Sequence, residues 1–596
     1  MIRRFLILSL LLAAWVRAQD VVAIAGAIVV DGTGAPPARA TVLIRGDRIA
    51  AVGADVVIPP EARVIRAEGQ TLLPGLFDIH THLLASPVTG VAADWGKILK
   101  AYLYAGVTTV VDVSTYGEQL EPMRRLIAAG LPAPKLLLAV RFSTPGGHGA
   151  EGGRGDFHTQ EIQTAPEARA AVRRVLPYKP DLLKVFTDGW RYGTGPDMTS
   201  MDLETLSAFV DEGHKNGLRS VSHTVTLDKA KLAARAGVDA VIHGIGDAPV
   251  DDELVQLFRT RKTAYATTLA VYESHVFPNG APRLLAEVLG PDRAGKVPRA
   301  LSQSAARQKR WQNLTYSVKA LRQAGLPVAC GTDAGMTSTF HGYATHREIE
   351  LLAASGLSPL EALAAATGNS ARAIGVEADR GTIAAGRAAD LLLVQGAPHE
   401  NLADLARISR VFVNGREIGR DALRRSIHSA EPTPMTARAV APLLDDFERP
   451  DGRSRIDTLW LNNTDSGHDH ARMSYQRTLR KPGDHALTIL AQMGEKERSF
   501  GSMVLPLACG GVEPVDLTAY RAIEFEARGD GDYALVLARR PSHKAVSLEF
   551  KAGPQWRKIR LPLAERYTGL LALHFRLERE AGRKVWLELD NLRLLR

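Results

Sequence analysis

The sequence predicts an α/β architecture: a (β/α)8 barrel with a small β-unit at its flank and a separate all-β region at its C-terminal end. Between residues 74 and 380, short apolar segments alternate with helical patterns of roughly ten residues or more, the rhythm of βα units on a parallel sheet. On either side of that stretch the helical period gives way to short alternating segments broken by Gly and Pro, and beyond Leu443 helix signals fade. A chain of 596 residues with 45% apolar and 23% charged content exceeds what a single core fills, so two or three domains are expected.

At the N-terminus, Arg3 and Arg4 precede an apolar run from Phe5 to Val16, and Val16-Arg17-Ala18 stands before Gln19. This grammar predicts a secretory signal over residues 1–18 and an exported protein, periplasmic or extracellular. The run is 12 residues, short of the ~20 a membrane-spanning helix needs. The net charge of +9 loses the three charges of Arg3, Arg4 and Arg17 with the signal, and the remaining basic residues are scattered, so no nucleic-acid stripe is expected. Cys330 and Cys509 fall in different predicted domains, which excludes a disulfide scaffold.

Residues 19–73 carry short strands at Val21 to Ala27, Ala40 to Arg45, Ile49 to Val52 and Val64 to Ile65. The same grammar returns in Gly381 to Val394 and Val411 to Gly419, which makes 19–73 and 381–425 one composite unit. Eight apolar strands fill 74–380: Phe77 to His82, Val107 to Val113, Lys135 to Phe142, Leu182 to Phe186, Arg219 to His223, Ala240 to His243, Ala264 to Leu269 and Val328 to Asp333. Eight such units close a TIM-type barrel. Residues 426–442 have no period and read as a linker. Strands at Ala522 to Ala527, Tyr533 to Leu537, Val546 to Phe550 and Val585 to Leu589 make 443–596 a second β-sandwich.

The stretch PGLFDIHTHL, residues 74–83, ends the first strand with two histidines one residue apart. Alternation puts His80 and His82 on one face, with Ile79 and Thr81 pointing the other way. Reactive side chains of such barrels sit at the C-terminal strand ends. Later strands deliver Lys184, His223, His243 and, within CGTDAG, Asp333. Four histidines, a lysine and an aspartate converging on one mouth point to a metal site.

The PGLFDIHTHL stretch, AARAGVDAVIHG before the second late histidine and GLSPLEALAAAT at 356–367 resemble the amidohydrolase superfamily, in its imidazolonepropionase and prolidase-like branch. The resemblance implies that the flanking strands close a β-sandwich beside the barrel. It implies that His80, His82 and Asp333 hold the more buried metal and His223 and His243 the second. Lys184 matches the lysine that binuclear members carry as a carbamate bridging two divalent ions, zinc in type; the alternative is a lysine paired with Asp333 in a one-metal site. Two ions ~3.5 to 4 Å apart would bring the pKa of a bridging water down toward ~7. Asp333 would then move its proton to the departing nitrogen as general base and acid. The implied reaction is hydrolysis of a carbon–nitrogen bond in a small amide, dipeptide or cyclic amide, with a lactonase as the nearest rival. Prolidase-like members often hold a tyrosine two residues past the strand-5 histidine, where this chain has Val225.

Further candidates come from the residues themselves. His148, in the GGHG of the loop from Ser143 to Gly155, could reach substrate or be a solvated histidine on a mobile loop, and Tyr265 on strand 7 is a substrate contact or barrel packing. The basic stretch 274–311, with Arg283, Arg307 and Arg310, reads as a solvated helix face or as a lid that attracts a carboxylate. His341 and His346 are expected to organise the helix that follows them. In the C-terminal region, DDFE at 445–448, DLTAYRAIEFEARGDGDY at 516–533 and Asp590-Asn591-Leu592 resemble the jelly-roll domain of the complex I intermediate-associated protein family. That family is related to galactose-binding modules, which implies a docking role toward glycans or a partner protein. A metal-bound scaffold serving this domain is the non-enzymatic reading.

Overall fold

The computed structural model describes residues 21–84, 93–150, 158–192, 195–273, 277, 280–296, 304–336, 338–465, 469–540 and 546–596. The expected signal, residues 1–18, lies outside them. Eight parallel strands pair in chain order: β1 (Leu76–Thr81), β2 (Val107–Thr115), β3 (Lys135–Ser143), β4 (Leu182–Phe186), β5 (Arg219–His223), β6 (Ala240–Ile242), β7 (Ala264–Thr267) and β8 (Val328–Cys330). Closure of β8 on β1 is made at the mouth, where Asp333 N donates to His80 O at 2.8 Å and His82 N donates to Ala334 O at 2.8 Å.

Phe77, Ile79, Val111, Leu137, Val221 and Ile242 fill the barrel interior, while their neighbours Val110, Leu138 and Val241 face the surrounding helices. This is the period of two that a pleated strand imposes. In β1 the alternation is broken. Its pairing with β2 advances from Asp78 to Thr81 while β2 advances only from Val110 to Asp112, one extra residue and therefore a β-bulge. Ile79, expected to face away from the histidines, thus belongs to the interior core, and His80 next to it still reaches the mouth.

The flanking eight-stranded sheet joins five N-terminal strands, Val21–Val29 through Gln70–Pro74, to Leu391–Gln395, Ile408–Val413 and Arg416–Glu417. Leu391–Gln395 runs antiparallel to Gln70–Pro74, with Leu392 opposite Leu73, and the latter strand leads straight into β1 through Gly75. A Cβ at Gly75 would lie 2.0 Å from Thr108 Oγ1, so only glycine lets the two sheets meet this closely.

The C-terminal region packs a seven-stranded sheet on a six-stranded one around Leu487, Phe525, Leu535, Phe575 and Leu587. The segment 426–442 departs from a free linker. It begins inside the helix Arg420–His428, where Lys100 Nζ donates to Ser426 Oγ at 2.7 Å, and its Arg438–Ala439 pairs with Val515–Asp516. The β-domain also grips the barrel: Tyr116 OH donates to Gly510 O at 2.9 Å, and Arg453 donates to Glu118 at 3.0 and 2.9 Å. Both cysteines are free. Among the described residues no helix is long and apolar enough to cross a membrane.

Candidate metal centre

A cleft of about 570 Å³ opens at the C-terminal ends of the strands, and His80, His82, Lys184, His223, His243 and Asp333 all line it. Asp333 Oδ1 lies 2.8 Å from His82 Nε2 and 3.3 Å from His80 Nε2. Ligand-type atoms of His80, His243 and Asp333 fall within 4.8 Å of one another, a spacing that one cation could satisfy. The imidazoles form a chain, His80 to His243 at 4.6 Å between ring centres and His243 to His223 at 4.4 Å. Lys184 Nζ sits 5.1 Å above the Phe186 ring.

Burial, helped by the charge of Lys184, brings the His80 pKa down to about 3. His223 and His243 are pushed well below the ordinary histidine value, again by burial first. Burial also brings Lys184 down to about 7. For Asp333 burial alone would raise the pKa, but hydrogen bonds from His80 and His82 hold it well below the carboxylate range. Neutral imidazoles beside an ionised carboxylate are the protonation states metal ligands need. His80 Nδ1, His82 Nδ1 and Lys184 Nζ are buried without a hydrogen-bond partner among the described residues. Such orphaned nitrogens cost free energy unless something binds them. The residues present therefore fit a metal.

Surrounding groups hold these side chains in place. His243 Nδ1 lies 2.9 Å from Thr268 Oγ1, which aims Nε2 into the cleft. Asp78 accepts from Thr332 Oγ1 at 2.6 Å, one residue before Asp333, and burial lifts its pKa to about 7. Asp112 accepts from Leu83 N at 3.3 Å, fixing the backbone just past His82. His243 and Asp333 adopt φ of +81° and +60°, left-handed conformations that recur at functional sites.

His148 reaches the cleft, its ring 4.4 Å from that of His223. Tyr265 does not, and this corrects the expectation of a substrate contact. It pairs with Val241 and Val328, which face the helices, so alternation turns its ring outward, where its hydroxyl accepts from Ile245 N at 3.3 Å. His341 and His346 are held by Tyr102 OH at 3.0 Å and Ala105 O at 2.7 Å, outside the metal cluster. Sequence reading missed Arg141, Arg191, Tyr192 and Tyr272 in the cleft lining, and placed Arg310 in a basic stretch that reads either as a solvated helix face or as a lid that attracts a carboxylate. Arg141 carried a usable signal: it is an arginine within the apolar strand KLLLAVRFS, and it is 2% exposed. Arg191 and Tyr192 sit on a loop and Tyr272 at the end of a short helix, where no period marks them, and Arg310 lies within the helix Ala305–Gln323 among other charged residues.

A parallel barrel whose mouth gathers four histidines, a lysine and an aspartate defines the class of barrels built around a metal-type centre. The chain belongs to the amidohydrolase family, whose model matches residues 71–418. An uncharacterized protein of Mycobacterium tuberculosis is 27% identical over 361 residues, spanning 59% of this chain and 86% of that one. The ochratoxinase of Aspergillus niger is 24% identical over 417 residues, 63% of this chain and 81% of its own. A Bifidobacterium longum structure assigned as a prolidase is 27% identical with a TM-score of 0.54, and the match covers 69% of this chain and all (100%) of that one.

Proposed function

We propose that the protein is an exported hydrolase that holds two divalent ions, zinc in type, and cleaves a carbon–nitrogen bond of a small amide, dipeptide or cyclic amide. The observation that carries this reading is the convergence of six ligand-type side chains from five strands, three of them with buried nitrogens that lack a partner among the described residues. The likeness to proteins named prolidase and ochratoxinase supports the bond type. His80, His82 and Asp333 would hold one ion, His223 and His243 the other, and Lys184 would bridge them as a carbamate. A lysine pKa brought to about 7 favours this, because only the neutral amine adds to carbon dioxide.

When bound, the ions supply Lewis-acid polarisation of the scissile carbonyl and of the attacking water. The chain's own residues do the rest. Asp333, 2.8 Å from His82 Nε2 and 3.3 Å from His80 Nε2 and held well below the carboxylate range, would accept the proton of the attacking water and return it to the leaving nitrogen, which departs poorly as an anion. His148, its ring 4.4 Å from that of His223, would contact the substrate. Export is supported by the charged and apolar grammar of residues 1–18.

The test is metal analysis of the purified full chain, then hydrolysis of N-acyl amino acids, dipeptides, cyclic amides and lactones with and without chelator. Roughly two ions per chain and chelator-sensitive amide cleavage are expected. Cleavage of lactones alone would replace the amidase by an esterase. A chain that binds no metal would remove the hydrolase reading.

A further inference from the structure

We infer that Arg310, stacked on Tyr192 and Tyr272 at the rim of the cleft, is the seat for a carboxylate of the substrate, so that the preferred substrate is an N-acyl amino acid or dipeptide with a free acid. This deepens the hydrolase reading and rests on it. The cleft lining sets three guanidinium side chains, Arg141, Arg191 and Arg310, beside the single carboxylate of Asp333. An imbalance of that sign inside a concave, partly desolvated site attracts an anion.

Arg310 is singled out among the three by its setting. Its guanidinium carbon lies 4.3 Å above the Tyr192 ring and 6.0 Å from the Tyr272 ring. The two phenol oxygens are 3.0 Å apart, so one hydroxyl proton is spent between them and the other is left to donate. The stem is fixed as well: a Cβ at Gly246 would fall 2.7 Å from Arg310 Cγ, so the glycine leaves room for it to lie flat. Among the described residues the guanidinium has ring contacts but no hydrogen bond or ion pair with a carboxylate, unlike Arg283, which is bound to Glu287. A half-buried, pre-oriented fork facing a cleft suits bidentate capture of a carboxylate.

Position relative to the metal centre sets the substrate's size. The Tyr272 ring lies 6.2 Å from that of His243, so the anion seat is one aromatic ring away from the ligands. An acylated amino acid bound with its acyl carbonyl at the ions would direct its carboxylate toward Arg310.

The experiment uses the metal-loaded full chain and matched pairs of N-acetyl amino acids and their carboxamides, L and D, read by turnover and by titration calorimetry. For the parent, at least one acid should outperform its amide by roughly 10- to 100-fold, the worth of a charged hydrogen bond. R310Q should erase that preference and R310K should keep part of it. R307Q, which removes the same charge one turn away at an exposed position, should leave the preference intact. Equal handling of acids and amides by the parent, no acid bound at all, or a preference that survives R310Q would each overturn the inference. Chelator-sensitive cleavage without acid preference would strike the seat alone, whereas absence of any cleavage beside intact acid preference in calorimetry would strike the hydrolase reading alone.

Discussion

Thr268 offers the sharpest probe of the metal centre, because it touches a ligand without facing the cleft. Its hydroxyl lies 2.9 Å from His243 Nδ1 and is fully buried. With the hydroxyl accepting, Nδ1 carries the proton and the Nε2 lone pair is turned toward His80 and Asp333. Thr268→Val keeps the shape and removes the acceptor. A hydrogen bond of ~1 kcal/mol is lost, and the buried N–H left behind costs about 1–3 kcal/mol unless the ring changes tautomer or turns away. Either escape withdraws Nε2, and losing a partner of this kind lowers metal affinity by roughly 10- to 100-fold. The assay is competition for zinc against a chromophoric chelator, with urea melts of the metal-free proteins to show that each variant is folded. Thr268→Ser restores the hydroxyl and should bind nearly as the parent does. A folded Thr268→Val protein with parental zinc affinity would refute the assignment of His243 as a ligand held by Thr268.

Two further outcomes follow from groups around the same barrel. Lys184 has a pKa of about 7 in the folded chain against an ordinary 10.5, so between those values the unfolded, metal-free chain binds more protons. Stability should then rise with pH across that window, by on the order of a few kcal/mol, and Lys184→Met should flatten the rise; equal slopes in urea melts at pH 7 and pH 9 would contradict it. Glu118, 5% exposed, accepts both guanidinium nitrogens of Arg453 across the barrel and β-domain contact. Glu118→Gln should cost about 1–3 kcal/mol and separate the melting of the β-domain from that of the barrel, since it weakens the charged hydrogen bonds across the contact and leaves Arg453 with Asp457 alone as its carboxylate partner. A single, unshifted calorimetric transition would show that the contact carries no coupling.

Much of the fold could be read from the chain because strand and helix periods differ and the barrel alternates them eight times. The ligand-type residues could be read because their chemistry is rare at strand ends and five of the eight strands carry it there. Phase was harder to read than period. Tyr265 lies in AYAT, a strand too short to say which face is inward, and only the register against Val241 and Val328 decides that it points out. The bulge in β1 hides for a related reason: the extra residue between Asp78 and Thr81 shows itself only against β2. Tyr192 and Tyr272, 80 positions apart, meet from a loop and the end of a short helix, and Arg310 joins them from the helix Ala305–Gln323, a meeting that no local period announces. The contact of Tyr116 with Gly510 spans 394 positions and depends on docking two finished domains, which local patterns do not encode.

The seam of the barrel ties these observations together. β8 and β1 are not neighbours in the ladder order, and the bonds that bring them together belong to the ligand residues: His80 O accepts from Asp333 N, and His82 N donates to Ala334 O. Asp333 reaches this bond at φ +60°, and Gly335, at φ +102°, would place a Cβ 2.2 Å from His82 O. Backbone strain of this kind persists only where surrounding contacts over-determine it. Here the contacts are the histidine side chains on Asp333 and, behind them, Thr332 on Asp78. Barrel closure and ligand geometry are thus one structural problem. A substitution that opens the seam moves the ligands, and a cation that draws His80, His82 and Asp333 together tightens the seam by the same bonds.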